Sequence, residues 1–318
     1  GFRRPQAPFY SQKEIMTTPI KPIEKGLFHT PFWLAPAADV FAQRSVRFQE
    51  LAEAEGSQWR DYLALLGKLA AAQQAVAAKH AFALPPTHQG RTVLPEAALG
   101  DVPVDFYPVL TDLLAEIGTQ APANVQAELN TLAALPREAA EALASRVLTG
   151  NSAPEEQTAV VWVQAALQII WTAWAAQLIE DAVPPVQERT HCPCCGTEAV
   201  GSVVLAKGDT AGFRYMHCPH CNSRWNVLRA KCPTCGDSSG VGIQELETDA
   251  SPAQTAPLLA AKAESCEVCR SYRKLYRLDK QQYADPVADD LASLALDILV
   301  GEAGYARAGH NPFLLLAE

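Results

Sequence analysis

Cys192-Pro193-Cys194-Cys195, Cys218-Pro219-His220-Cys221, Cys232-Pro233-Thr234-Cys235 and Cys266-Glu267-Val268-Cys269 are four cysteine pairs at one spacing. They account for eight of the nine cysteines in a chain of 318 residues. A two-residue gap lets the backbone turn so that both sulfurs face one ion about 2.3 Å away, and two such knuckles complete a tetrahedral shell of four thiolates. Eight sulfurs make two such shells, suited to zinc or to iron held by sulfur alone. A thioredoxin-like redox pair would occur once, between a strand and a helix, whereas four pairs in tandem satisfy a coordination count. Disulfides are disfavoured further because Arg3-Arg4 is not followed by the apolar run of a secretory signal. The expected compartment is the reducing cytoplasm.

The segments between the knuckles decide how they pair. Ala199 to Leu205 reads as a strand, Lys207 to Gly212 as a turn and Phe213 to His217 as a second strand. Cys232 restarts the pattern, with Val241 to Glu247 as a strand, a connection containing Pro, Ala and Thr, the fourth knuckle, and Ser271 to Leu278 as a strand. Two tandem ribbons of the rubredoxin or zinc-ribbon type are expected. Residues 186–228 would hold one metal through Cys192, Cys195, Cys218 and Cys221. Residues 229–283 would hold the other through Cys232, Cys235, Cys266 and Cys269. Crossed pairing would thread the short Cys221–Cys232 link between two sites. Gly196 and Gly236 suit the tight turn after a knuckle. Cys194 is expected to be a spare thiol pointing away from the ion. His191, His217 and His220 are expected to lie at the surface or behind the sulfurs, since each site already has four ligands.

Residues 1–185 contain no cysteine and are rich in Ala, Leu, Glu and Gln. Helices are expected over Asp39–Ala54, Ser57–Phe82, Pro108–Ile117, Ala123–Leu135, Arg137–Leu148 and Pro154–Asp181. The fold class is therefore α+β and multidomain: an N-terminal helical bundle, two metal-binding ribbons, and a C-terminal helix and tail over 284–318. Val160 to Ile179 is a twenty-residue stretch without a formal charge, the length of a membrane span. Glu155, Glu156, Glu180 and Asp181 flank it, no Lys or Arg lies close, and Gln164, Gln168 and Gln177 interrupt it. A buried central helix is expected, with Trp162, Trp171 and Trp174 lining the core, and no stable membrane insertion.

Composition narrows the function. The chain is 48% hydrophobic with a net charge of -9. Residues 186–283 carry twelve Lys and Arg against ten Asp and Glu, and two divalent ions in four-thiolate shells would outweigh that surplus. No basic stripe suits a nucleic acid, so a protein partner is expected. No phosphate loop, nucleophile elbow or metalloprotease helix is present, and four sulfurs leave no open position for substrate. Asp285, Asp289 and Asp290 precede or open a helix expected over Pro286–Val300, where acids suit the helix dipole. The chain does not read as an enzyme.

The runs Ala211–Cys221 (AGFRYMHCPHC), Trp225–Cys235 (WNVLRAKCPTC), Ala263–Cys266 (AESC) and Cys269–Lys274 (CRSYRK) resemble the formate dehydrogenase accessory protein family, FdhE. The tail resembles that family's C-terminal signature at Asp285–Ser293, Gly304–Arg307 and Asn311–Leu314. The likeness is specific from Cys192 onward and loose in the helical half. Cys194 and the Asn222-Ser223-Arg224 run ahead of Trp225 depart from the family's pattern. The resemblance implies a cytoplasmic maturation factor that binds the catalytic subunit of respiratory formate dehydrogenase before its export. It implies rubredoxin-type iron on the eight paired cysteines, with zinc as the alternative occupant. An electron-transfer protein acting on the client's cofactor is the alternative function.

Overall fold

The computed structural model describes residues 30–54, 57, 59–87, 91–185, 190–246 and 260–314. Arg3-Arg4, Glu247 and the connection through residue 259 lie outside them. Among the described residues the first half forms six helices. They are α1 (Val40–Glu53), α2 (Arg60–Lys79), α3 (Phe106–Gly118), α4 (Ala123–Ala133), α5 (Arg137–Thr149) and α6 (Gln157–Ala175). Pro122 and Pro136 sit immediately before α4 and α5, where proline's missing amide hydrogen removes no helical bond. Gly150, at φ 70°, ends α5 in the left-handed conformation that L-residues with a Cβ avoid.

The apolar run becomes the centre of this bundle. By length and composition, Pro154–Ala175 is able to cross a membrane, but Val163, Ala166, Ile169, Ile170 and Trp171 are wholly buried within the protein. Helices α2, α3 and α5 pack around it. It stops at Ala175, short of the expected Asp181, and Ile179 is exposed.

The second half is built on one sheet. Its strands are β1 (Trp33–Leu34), β2 (Gly201–Val204), β3 (Arg214–His217), β4 (Arg224–Val227), β5 (Val241–Gln244), β6 (Ala261–Cys266), β7 (Ser271–Arg277) and β8 (Ala306–Arg307). The order is β1-β4-β3-β2-β7-β6-β5, with β8 beside the start of β7. Strands β2-β3-β4 and β5-β6-β7 are antiparallel units, one per ribbon. They are fused because β2 pairs in parallel with β7, Ser202 opposite Leu275. Four strands escape the sequence reading: β1, β4, β6 and β8. Strand β6, Ala-Lys-Ala-Glu-Ser-Cys, lacks the β-branched and aromatic residues that mark a strand, and pairing on both edges holds it in place.

The two sheet faces pack differently. Val203, Tyr215, Ala261, Ala263, Tyr272 and Tyr276 form a small core with Leu296 and Val300. On the opposite face, Met216, Trp225 and Val227 join the helical core. The C-terminal helix expected over Pro286–Val300 is two helices, α7 (Pro286–Ala292) and α8 (Leu294–Glu302), broken at Ser293. Lys274 of β7 reaches the break, its Nζ donating to the carbonyls of Asp290 at 2.8 Å and Ser293 at 3.3 Å. A cation at a helix C-terminus satisfies carbonyls that have no intrahelical partner.

Asp285 caps α7, accepting the amides of Val287 at 3.0 Å and Ala288 at 2.9 Å. Asp289 and Asp290 do more than favour a dipole, because both are buried. Asp289 pairs with Arg47 of α1, and Asp290 takes Lys274 at 3.1 Å and Arg307 at 2.6 Å. Arg44 of α1 bonds Asp285 at 3.0 Å. Helix α7 is thus clamped by ion pairs between the bundle and the sheet.

Candidate metal centres

Each knuckle is the same small turn. In the first, Cys192 donates its amide to the Thr197 carbonyl at 2.9 Å, and Gly196 donates to the Cys192 carbonyl at 2.9 Å. Cys218 repeats the first bond to Ser223 at 3.0 Å, and Cys232 repeats it to Asp237 at 2.8 Å. The residue after each second cysteine is left-handed: Gly196 (φ 76°), Asn222 (φ 58°), Gly236 (φ 80°) and Arg270 (φ 53°). Sequence reasoning singled out the two glycines and passed over the other two. Asn222 is held in place by its side chain, which accepts from Arg44 at 2.7 Å and donates to Thr172 at 2.8 Å. Arg270 lies over the Tyr305 ring, 4.1 Å from its centroid.

These turns gather the eight cysteines into two groups of four, Cys192, Cys195, Cys218 and Cys221, then Cys232, Cys235, Cys266 and Cys269. Within each group the sulfurs lie within 4.8 Å of one another, and all are free thiols. Cross-knuckle separations are 3.5 Å for Cys192–Cys221 and Cys195–Cys218, and 3.7 Å for Cys232–Cys269 and Cys235–Cys266. A metal–sulfur bond of about 2.3 Å in a tetrahedron requires a sulfur–sulfur edge of about 3.8 Å. A disulfide requires about 2.0 Å. The donor set and spacing therefore fit one tetrahedral ion per group. Four sulfurs close the shell, so a bound ion would hold structure or carry an electron, with no position left for a substrate.

A second repeat supports the sulfurs. Two residues beyond each second cysteine stand Thr197, Ser223, Asp237 and Ser271. The Cys195 and Thr197 side chains are 3.4 Å apart, Cys221 and Ser223 3.0 Å, and Cys269 and Ser271 3.0 Å. Hydroxyls placed there donate to thiolates once a metal is bound and tune their basicity. Backbone amides add to this, with Cys194 N donating to Cys192 Sγ and His220 N to Cys218 Sγ, each at 3.4 Å. The regular Cys-x-x-Cys-x-(Ser/Thr/Asp) spacing was the available signal for these residues, and it was missed.

The centres differ in their surroundings. All four sulfur-bearing residues of the first are buried, and the helical half wraps it. Val93, Leu94 and Ala97 donate amides to the carbonyls of Pro193, Cys194 and Cys195 at 3.2, 2.9 and 3.0 Å. From α6, Gln168 donates to the Pro219 carbonyl at 2.8 Å, and Trp171 packs on His220 with centroids 4.8 Å apart. The second centre lies outside the bundle, with Cys235 exposed and Cys269 half-buried.

His217 and His220 are buried, and neither belongs to a cysteine group. Burial pushes His217 down to about 3 and His220 down to about 4. Both imidazoles are therefore neutral at neutral pH. His217 Nδ1 accepts from Arg224 at 3.2 Å, and His191 is half-buried beside Thr190. Cys194 is fully buried and stays outside the groups of four. The Asn222-Ser223-Arg224 run is occupied with internal contacts to α1, α6 and the first centre.

The family models for the FdhE N-terminal, central and C-terminal domains match residues 30–188, 191–229 and 230–314. An FdhE homolog of Pseudomonas aeruginosa is 35% identical over 304 residues, 93% of this chain and 96% of the relative. The chain belongs to the FdhE family. An FdhE homolog of Edwardsiella ictaluri is likewise 35% identical, over 91% of this chain and 92% of the relative. The crystal structure of the FdhE protein from Pseudomonas aeruginosa superposes with a TM-score of 0.75 at 33% identity, covering 91% of this chain and all of that one. The family match spans the helical half as well as the cysteine-bearing half.

Proposed function

We propose that this protein is a cytoplasmic maturation factor that binds the catalytic subunit of formate dehydrogenase and is needed for its activity. It is not itself an enzyme. The observation that carries this reading is membership of the FdhE family across both halves of the chain. The two cysteine groups supply the physical part. Cys192, Cys195, Cys218 and Cys221 hold one ion, and Cys232, Cys235, Cys266 and Cys269 hold another, closing each ribbon around a shell with no vacant position. Rubredoxin-type iron is the proposed occupant of both, with zinc as the alternative, since the same sulfur tetrahedron accepts either.

Metal analysis of anaerobically prepared protein, run beside co-purification of the catalytic subunit, tests the reading. Two equivalents of metal and retained subunit are expected, with both lost in Cys218→Ala. A Cys218→Ala protein that stays folded and still captures the subunit would falsify it. The exposure of Cys235 favours a second reading, electron transfer to the client's cofactor through the outer centre. A reversible rubredoxin-like visible absorption supports that reading, and fully active colourless zinc protein eliminates it.

A further inference from the structure

The sheet ends on one side in β5, and among the described residues no strand pairs with its outer edge. The direction of its free groups follows from one bond. Glu267 donates its amide to the Gly240 carbonyl at 2.8 Å, and the register continues Val241 opposite Cys266 to Gln244 opposite Ala263. Hydrogen-bonded and non-bonded pairs alternate in an antiparallel ladder. Gly242 and Gln244 therefore bond inward to β6, while the amides and carbonyls of Val241 and Ile243 point to the open edge.

The sheet face beside this edge is open and cationic. A hollow of about 500 Å³ is lined by Val241 and Ile243 together with Arg214, Arg229, Lys262 and Arg277. The register places Ile243 opposite Glu264 and Lys262 opposite Leu275, so these side chains share one face. Glu264 is the carboxylate lining the hollow, and buried Arg214 already holds it, while Lys262 pairs with Glu245 and Arg277 with Asp279. Arg229 donates to the Gly212 carbonyl and has no carboxylate partner among the described residues. Ile243 is 51% exposed. On a chain of net charge -9, Arg229 is thus, among the described residues, the lining cation left without a carboxylate beside an unpaired strand edge.

We propose that β5 receives an extended acidic segment of a partner polypeptide, added as a further antiparallel or parallel strand, with a carboxylate facing Arg229 in the hollow. Backbone bonds to Val241 and Ile243 supply the anchoring, and Arg229 supplies the choice of sequence. The four-residue length of β5 limits the added strand to a short stretch. A second copy of this chain is disfavoured as occupant, because edge-to-edge pairing of two β5 strands would set two cationic hollows side by side. The edge is built on the second centre, since β5 pairs with the strand ending in Cys266.

This inference rests on the accessory reading only in taking a polypeptide as the ligand. Its test uses the full chain loaded with metal and a labelled peptide of four Glu-Val repeats, with four Lys-Val repeats as control, followed by fluorescence anisotropy. The acidic peptide is expected to bind, more weakly as salt rises, and the basic peptide is not. Ile243→Pro removes an amide that faces outward, so the native ladder tolerates it. It is expected to lower affinity by about tenfold or more while metal content and circular dichroism are unchanged. Arg229→Glu, which touches no ladder bond, is expected to weaken binding as well. No binding at millimolar acidic peptide, equal binding of the basic peptide, indifference to both variants, or a dimer abolished by Ile243→Pro would each overturn the proposal. The peptide contains no formate dehydrogenase sequence, so its failure leaves the co-purification test of the accessory reading standing.

Discussion

The two cysteine groups are built from the same turn, yet one lies inside the molecule and the other at its rim. The first is enclosed by residues 92–97, by α6 and by α1 through Asn222, so its sulfurs are part of the central core. The second is held by β5, β6 and β7, with Cys235 in solvent. Identical ligand chemistry therefore serves two purposes. The inner centre ties the helical half to the sheet, and the outer centre stiffens an edge.

The largest test of this contrast removes a ligand from each. Structural sites of this kind carry about 10 to 16 kcal/mol of apparent binding free energy, as much as the stability of a whole domain. Cys218→Ala is expected to lose the near-ultraviolet signal of the buried tryptophans Trp171 and Trp225, and to lose cooperative unfolding. Cys269→Ala is expected to lose one metal equivalent but to keep that signal. Equal collapse of both variants breaks the comparison.

Chelation sharpens it further. Opening the outer centre needs only local movement, whereas reaching the inner one requires parting the helical core from the first ribbon. Metal release followed with a colorimetric chelator is expected in two phases of one equivalent each. The slower phase is expected to lag by a factor on the order of a hundred, as local and sub-global openings differ in free energy. A single phase removes the distinction.

A smaller effect is expected at the clamp between the halves. Burial opposes ionisation of Asp290, but Lys274 and Arg307 hold its carboxyl below the ordinary range. The folded state then binds fewer protons than the unfolded state, whose carboxyl titrates at about 3.9. Its contribution is complete above that value and is lost as pH falls through the folded value. Asp290→Asn is expected to cost about 3 kcal/mol, by stranding buried cations, and to flatten the acid limb of stability against pH. Denaturant titrations at neutral pH and in steps from about pH 4 downward, below the unfolded value, check both parts. Asp289 behaves in the opposite sense, since burial pushes it up to about 6 despite Arg47.

The smallest effect is expected at Gln168, which accepts from Gln73 at 2.8 Å and donates to the Pro219 carbonyl at 2.8 Å. Gln168→Ala leaves those groups buried without partners and is expected to cost about 1 to 3 kcal/mol by thermal or denaturant unfolding. It should accelerate metal loss from the inner centre alone.

What the sequence made legible was local. Each cysteine pair spans one turn, and the hairpin between the first two knuckles carries its own periodicity, so the two groups of four could be read without tertiary information. The helices of the first half were equally readable from their apolar spacing and proline punctuation. The illegible parts depend on partners far along the chain. Strand β6 looks like a linker until both of its neighbours are known, and the parallel pairing of β2 with β7 has no local signature. Asp289 and Asp290 look like dipole neighbours because Arg47, Lys274 and Arg307 lie in other elements. Asn222 and Arg270 occupy the glycine position of the turn because contacts from α1, α6 and Tyr305 secure them there.

The parallel join between the ribbons has a consequence for assembly. Strand β7 is made late but sits in the interior of the sheet, between β2 and β6. A chain interrupted after Val227 could close its first sulfur cage, yet β2 would be left with a bare flank where its neighbour belongs. Completion of the protein thus awaits a segment translated some seventy residues after β2, and until that segment arrives the nascent product carries a sticky edge at its heart.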